Sequence, residues 1–207
     1  MDEIALHILD IVYNSIEAGA TTVELEIVES TVDDLLRIRV ADNGRGMDPE
    51  MLQRALDPFA TSRTTRKVGL GLSLLSANAE ASNGHVSVES EPGRGTVVTA
   101  VFQASHIDRP PLGNMHSTLL VIAASAPQID LRYRHERDGK VFVFSTGEIR
   151  AQLGDVPLTH PEVLHWLDEF IARGLRRVDW RGSEGLITRH ATSKAKGADK
   201  HAKAQIA

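Results

Sequence analysis

Near the start of the chain His7, Asp10, Asn14 and Glu17 recur at spacings of three, four and three. On a helix those spacings put all four side chains on one face. Taken alone, such a stripe is the wet face of an amphipathic helix. It gains weight from three later segments. Asp42-Asn43-Gly44-Arg45-Gly46-Met47 directly follows an apolar run. A carboxylate at a strand end accepts a hydrogen bond from an exocyclic amine, and glycines let backbone approach a flat ring where a Cβ would clash. The competing reading is an ordinary Asp-Asn-Gly turn. Gly69-Leu70-Gly71-Leu72 opens a helical pattern, and the free N–H groups and dipole at a helix start suit a phosphate, although many helices begin after glycine. Gly95-Thr96 carries no chemistry by itself.

The elements that must position these groups are legible in the apolar pattern. Residues 1–20 predict a helix, with Ile4, Ile8, Ile11, Val12 and Ile16 near helical spacing and Gly19 closing it. Residues 22–28 and 35–41 read as strands, and 49–56 as a short helix. Residues 57–68 lack periodicity and read as a loop; 71–83 read as a helix ended by Asn83-Gly84. Strands are expected at 85–90 and 96–103, joined by Glu91-Pro92-Gly93-Arg94-Gly95. Antiparallel strands with intervening helices fit an α+β fold, a two-layer α/β sandwich. Arg109-Pro110-Pro111-Leu112-Gly113 marks a boundary, giving a first domain over 1–105 and a small α/β domain over 106–180. Within the second, helices are expected at 117–124 and 161–172, and strands at 129–135 and 141–145 around the hairpin signal Asp138-Gly139. Residues 181–207, rich in Lys, Ala, Ser and His, read as a disordered tail.

Composition bounds the function. The chain has 207 residues, is 42% hydrophobic and carries a net charge of -5, which argues against a general nucleic-acid binder. With no cysteine, thiolate catalysis, disulfides and cysteine-ligated zinc are excluded. Apolar runs such as 119–124 are too short to span a bilayer, and the start lacks the pattern of a signal peptide. A cytoplasmic protein with no membrane role is the expectation.

In this order and at these spacings, the four segments resemble the N, G1, G2 and terminal Gly-Thr motifs of the GHKL (gyrase, Hsp90, histidine kinase, MutL) ATPase superfamily, over residues 4–102. Asn14-Ser15-Ile16-Glu17-Ala18-Gly19-Ala20 is similar to the MutL form of the N motif. Pro58-Phe59-Ala60-Thr61-Ser62-Arg63 is similar to the lid of nitrogen-regulator-type histidine kinases. The whole chain also resembles small stand-alone ATP-binding proteins encoded beside iron-only hydrogenases. The resemblance implies a Bergerat-type fold and the cofactors ATP and Mg²⁺. It makes Asn14 the metal ligand and Asp42 the acceptor of the adenine amine. Gly44, Gly46 and Met47 would line the base pocket, with Thr96 reaching the base directly or through water. Gly69, Leu70, Gly71 and Leu72 would bind phosphates, beneath a lid over 57–68 in which Arg63, Arg66 or Lys67 contacts phosphate or is simply a solvated charge. Asp10 departs from the family pattern, which has glutamate four residues before the asparagine. It would be the catalytic carboxylate that positions water, with slow turnover. His7 and Glu17 support neighbours or face solvent.

On this basis the expected function is Mg-ATP binding and weak ATPase activity that drives a lid-closing switch acting on a protein partner, with a homodimer compatible. Phosphotransfer as a histidine or anti-sigma-type serine kinase is the first alternative. Met1 lies 13 residues before Asn14, which leaves no room for an acceptor hairpin, so the target would be a separate protein. A non-catalytic ATP-sensing adaptor is the second. Mismatch repair fits less well, since the acidic chain lacks the long second domain of such proteins.

Overall fold

The computed structural model describes residues 3–56 and 70–179. The elements follow as α1 (Ile4–Glu17), β1 (Thr22–Ser30), β2 (Leu35–Asp42), α2 (Pro49–Leu56), α3 (Leu70–Glu80), β3 (His85–Glu91) and β4 (Gly95–Gln103). They continue as α4 (Met115–Ser125), β5 (Asp130–Arg137), β6 (Lys140–Ser145), α5 (Thr146–Leu153) and α6 (Pro161–Asp179). Six strands form one sheet in the order β3-β4-β2-β1-β5-β6. All neighbours are antiparallel except β1 and β5.

Alternation along the strands creates the two layers. Val23, Leu25 and Ile27 on β1, Leu36, Ile38 and Val40 on β2, and Leu131 and Tyr133 on β5 are buried. They share one core with Ile4, Ile8 and Val12 of α1, Leu119 and Ile122 of α4, and Leu167 and Ile171 of α6. Each such side chain contributes about 1.5–3 kcal/mol by leaving water. The residues between them point to the other face, where Glu24 pairs with Arg39 and Arg132, and Glu26 with Arg37 and Arg134. A broad concavity on that face is lined by Arg39, Arg132 and Arg134. Each of those arginines is already paired with a carboxylate, so it offers no unbalanced positive cradle.

The two-layer α/β fold expected from the sequence is present, and the structure adds how its halves join. The segment after residue 106 does contain helices and two strands, but β5 lies along β1 from Thr22↔Asp130 to Glu29↔Arg137. The second half therefore extends the same sheet and core. The proline-rich stretch at the boundary caps α1: the carbonyls of Pro111 and Leu112 accept the N–H groups of Ile4 and Ala5 at 3.0 and 2.8 Å, satisfying donors that a helix start leaves open. Asp138 and Gly139 both take positive φ, 47° and 81°, the turn their sequence predicts. Two features differ from the sequence reading. The final helix runs on to Asp179, because Gly174, Leu175 and Val178 continue its buried stripe. Residues 146–153 form a helix, capped by the Ser145 hydroxyl accepting from the Glu148 N–H at 3.1 Å. The tail expected over 181–207 lies outside the described residues. Among the described residues no helix is long and apolar enough to cross a membrane.

Candidate functional site

The expected site residues that the structure describes converge at one end of the sheet, on its helical side. Asp42 ends β2, directly across from Thr96 of β4, which in turn lies opposite Ser90 of β3. By strand alternation these three share the face of the buried Val40 and Val98 and the partly buried Val88, forming a polar row where the core gives out. Asp42 is held from two sides. Its Oδ2 accepts from the Ser15 hydroxyl at 2.7 Å, and its Oδ1 from the Gly44 N–H at 2.8 Å. Ser15 is 3% exposed; it sits on the inner face of α1, with the Ile11 carbonyl a more distant second acceptor at 3.2 Å.

Glycines in the loop after β2 are required by contact. A Cβ on Gly46, at φ 66°, would lie 1.9 Å from the Glu91 carbonyl oxygen. One on Gly95, at φ 94°, would lie 1.9 Å from the carbonyl oxygen of Asp42. These interlocks press the β2 loop against the β3–β4 hairpin. The Met47 N–H donates to Ser90 Oγ at 2.8 Å, and the Gly93 N–H to the Arg45 carbonyl at 2.7 Å. Asn43 serves structure instead, its Oδ1 accepting from the N–H groups of Thr21 and Thr22. Arg45 donates from its side chain to the Glu17 carbonyl at the end of α1.

The other end of the site lies between α1 and α3. Gly71, in the first turn of α3, faces Asp10: a Cβ there would be 3.0 Å from Asp10 Oδ2 and 3.2 Å from Asp10 Cβ. The carboxylate thus rests against the start of a helix, the end that favours negative charge. Asp10 and Asn14 are exposed on the outer face of α1. Neither side chain hydrogen-bonds to a described residue, so both are free to meet a ligand. Leu72 is partly buried against the core, and Leu70 begins α3. His7 turns inward at 4% exposure and meets Asn78 Nδ2 at 3.3 Å, tying α1 to α3. Arg63, Arg66, Lys67 and Gly69 lie outside the described residues. Among the described residues no group of three histidines and carboxylates gathers into a metal cage.

Ser15 and Ser90 are the residues that sequence reasoning missed. The signal for Ser15 was available: it occupies the apolar stripe of α1, one turn beyond Ile11, where a polar side chain must find a partner inside.

Residues 2–106, half of the 207-residue chain, match the profile of the histidine kinase-, DNA gyrase B-, and HSP90-like ATPases. The chain belongs to this ATPase family. Membership supports ATP binding by residues 2–106. The chain is 40% identical over 95 residues to the sensor protein kinase FleS of Pseudomonas aeruginosa, covering 46% of this chain and 23% of that one. It is 32% identical over 111 residues to the non-motile and phage-resistance protein of Caulobacter vibrioides, covering 49% and 13%. The chain thus spans less than a quarter of the length of these relatives. Among solved structures, the ADP-complexed MutL ATPase domain of Aquifex aeolicus aligns with TM-score 0.42 and 17% identity, over 73% of this chain and 67% of that one.

Proposed function

We propose that this protein binds Mg²⁺-ATP between α1, α3 and the end of the sheet, hydrolyses it slowly, and uses the nucleotide state to control a separate protein. The observation that carries the hydrolytic part is the seating of Asp10 against Gly71, with Asn14 one helical turn further along the same face. Asn14 would complete the coordination of Mg²⁺, which when bound neutralises charge on the phosphate oxygens. Asp10, one turn earlier on that face, would hold a water against the terminal phosphate. Its role is positioning, because phosphoryl transfer depends chiefly on alignment and electrostatic stabilisation. Its arm is one methylene shorter than glutamate, which leaves the water less firmly held and turnover slow. Arg63 and Lys67 would add charge to the phosphates as 57–68 closes over them, giving a partner something to sense.

Phosphate transfer to a separate protein is the second reading, favoured by the sensor protein kinase among the relatives. One experiment separates the two. With γ-labelled ATP and candidate partners, the hydrolytic reading expects label as free phosphate, and Asp10→Asn should keep ATP affinity while lowering phosphate release roughly ten- to a hundredfold. Label on a partner protein supports transfer instead. Unchanged release from Asp10→Asn makes Asp10 a solvent-facing residue and removes it from the chemistry.

A further inference from the structure

The hydroxyl groups beside Asp42 can be assigned proton by proton. Ser90 has one hydroxyl proton and two lone pairs. Its Oγ lies 2.9 Å from the Gly95 carbonyl oxygen, which can only accept, so the Ser90 proton goes there. Met47 N–H donates to the same Oγ at 2.8 Å. The remaining contact, 2.9 Å to Thr96 Oγ1, must then be donated by Thr96, and Ser90 is fully used. Thr96 has spent its only proton on Ser90 and presents lone pairs alone to the pocket. Next to it, Asp42 is also an acceptor, and its two neighbouring donors, Ser15 and Gly44, are turned onto the carboxylate itself. The donors at Ser15, Gly44, Met47, Ser90 and Thr96 are thereby all consumed within the protein.

We propose that Ser90 is a positioning residue for base selection: by taking the Thr96 proton it makes Asp42 and Thr96 a wall of acceptors matched to the two N–H groups of a purine 6-amine. This rests on the ATP-pocket reading and extends it, since Ser90 touches no ligand. Asp42 and Thr96 are directly opposed across an antiparallel pair, about 4.5–5.5 Å apart at Cα, so two protons on one nitrogen can be shared between them, directly or through water. A 6-oxopurine sets its oxygen against lone pairs. A purine with hydrogen at position 6 offers neither gain nor repulsion.

The test measures dissociation constants for ATP, ITP and the 6-unsubstituted purine triphosphate by calorimetry with Mg²⁺. For the wild type the order of affinity should be ATP, then purine, then ITP, with ATP ahead of ITP by roughly a hundredfold, about tenfold for each of the two hydrogen bonds lost. ITP binding as well as the purine means a donor faces position 6 and overturns the proposal without any mutant. Ser90→Ala frees the Thr96 hydroxyl to turn and donate, so the ATP-to-ITP ratio should fall about tenfold, the size of one hydrogen bond. Ser90→Thr should restore it. In a Thr96→Val background, Ser90→Ala should leave the ratio unmoved; an equal fall there would mean that Ser90 acts through Met47 and refute the assignment. An unchanged ratio in Ser90→Ala refutes it as well. Failure of the underlying pocket reading looks different: Asp42→Ala would then bind ATP as the wild type does.

Discussion

Removal of the Ser15 hydroxyl tests the link between α1 and the base pocket. Ser15→Ala deletes the 2.7 Å bond to Asp42 Oδ2 and leaves the carboxylate on the single 2.8 Å bond from Gly44. A hydrogen bond to a charged group contributes about 1.5–3 kcal/mol. Against this, alanine is favoured over serine in a helix interior by about 0.5 kcal/mol, and loss of the strained back-bond toward Ile11 recovers a little more. The net loss should be about 1–2 kcal/mol, which for a chain of this size lowers Tm by about 2–8 °C. Denaturant titrations of wild type, Ser15→Ala, Asp42→Ala and the double variant close a cycle whose coupling should be about 1–2 kcal/mol. ATP affinity should fall about tenfold in Ser15→Ala, equivalent to about 1.4 kcal/mol, because the carboxylate loses one of the two bonds that aim it. Coupling below about 0.5 kcal/mol, with ATP affinity unchanged, would show that Ser15 neither holds nor aims Asp42.

Gly71→Ala should leave Tm unchanged or slightly raised, since alanine suits a helix better. The new Cβ at 3.0 Å from Asp10 Oδ2 forces that side chain to shift, so phosphate release should drop about tenfold; undiminished release would separate Asp10 from the reaction. At the far end of the sheet, burial raises the Glu29 carboxyl, but hydrogen bonding to His135 and the charge of Arg137 outweigh it and hold it below its ordinary 4.5. A lowered carboxyl stabilises the fold above its unfolded pKa and loses that contribution as pH falls through the folded one. Wild-type stability should therefore decline below about pH 4.5 and Glu29→Gln should decline less steeply, as denaturant midpoints between neutral and acid pH will report; parallel curves would contradict it.

What the sequence revealed was what is local. Asp42 with Gly44 and Gly46 at a strand end, and Gly71 at a helix start, stand where their immediate neighbours predict. The Asp138-Gly139 turn dictates its own φ angles. What stayed hidden depends on long-range placement. Ser90 acquires its role only once register sets it opposite Thr96. Ser15 acquires its role only once α1 lies over the end of β2. The stretch Arg109-Pro110-Pro111-Leu112-Gly113 has the composition of a linker, and nothing local shows that its carbonyls cap α1, more than a hundred residues earlier. Helix α5 escaped because, of its apolar residues, only Ile149 and Leu153 pack against the core, although Ser145-Thr146-Gly147-Glu148 has the spacing of a capping box. The last turns of α6 were obscured by Gly174, which sits beneath Phe142 where a Cβ would be 2.2 Å from the ring.

The central claim is that Asp42 reads an adenine amine in an ATP site. Calorimetric titration of the wild type and of Asp42→Ala with ATP and GTP in the presence of Mg²⁺ tests it most directly, with a cooperative melting transition confirming that the variant is folded. Wild type should bind ATP and discriminate against GTP, since a pocket built around a donor leaves its acceptor unpaired when that donor is replaced, and Asp42→Ala should lose most ATP binding. Equal affinity of the wild type for GTP, or full ATP binding by a folded Asp42→Ala, would contradict the account.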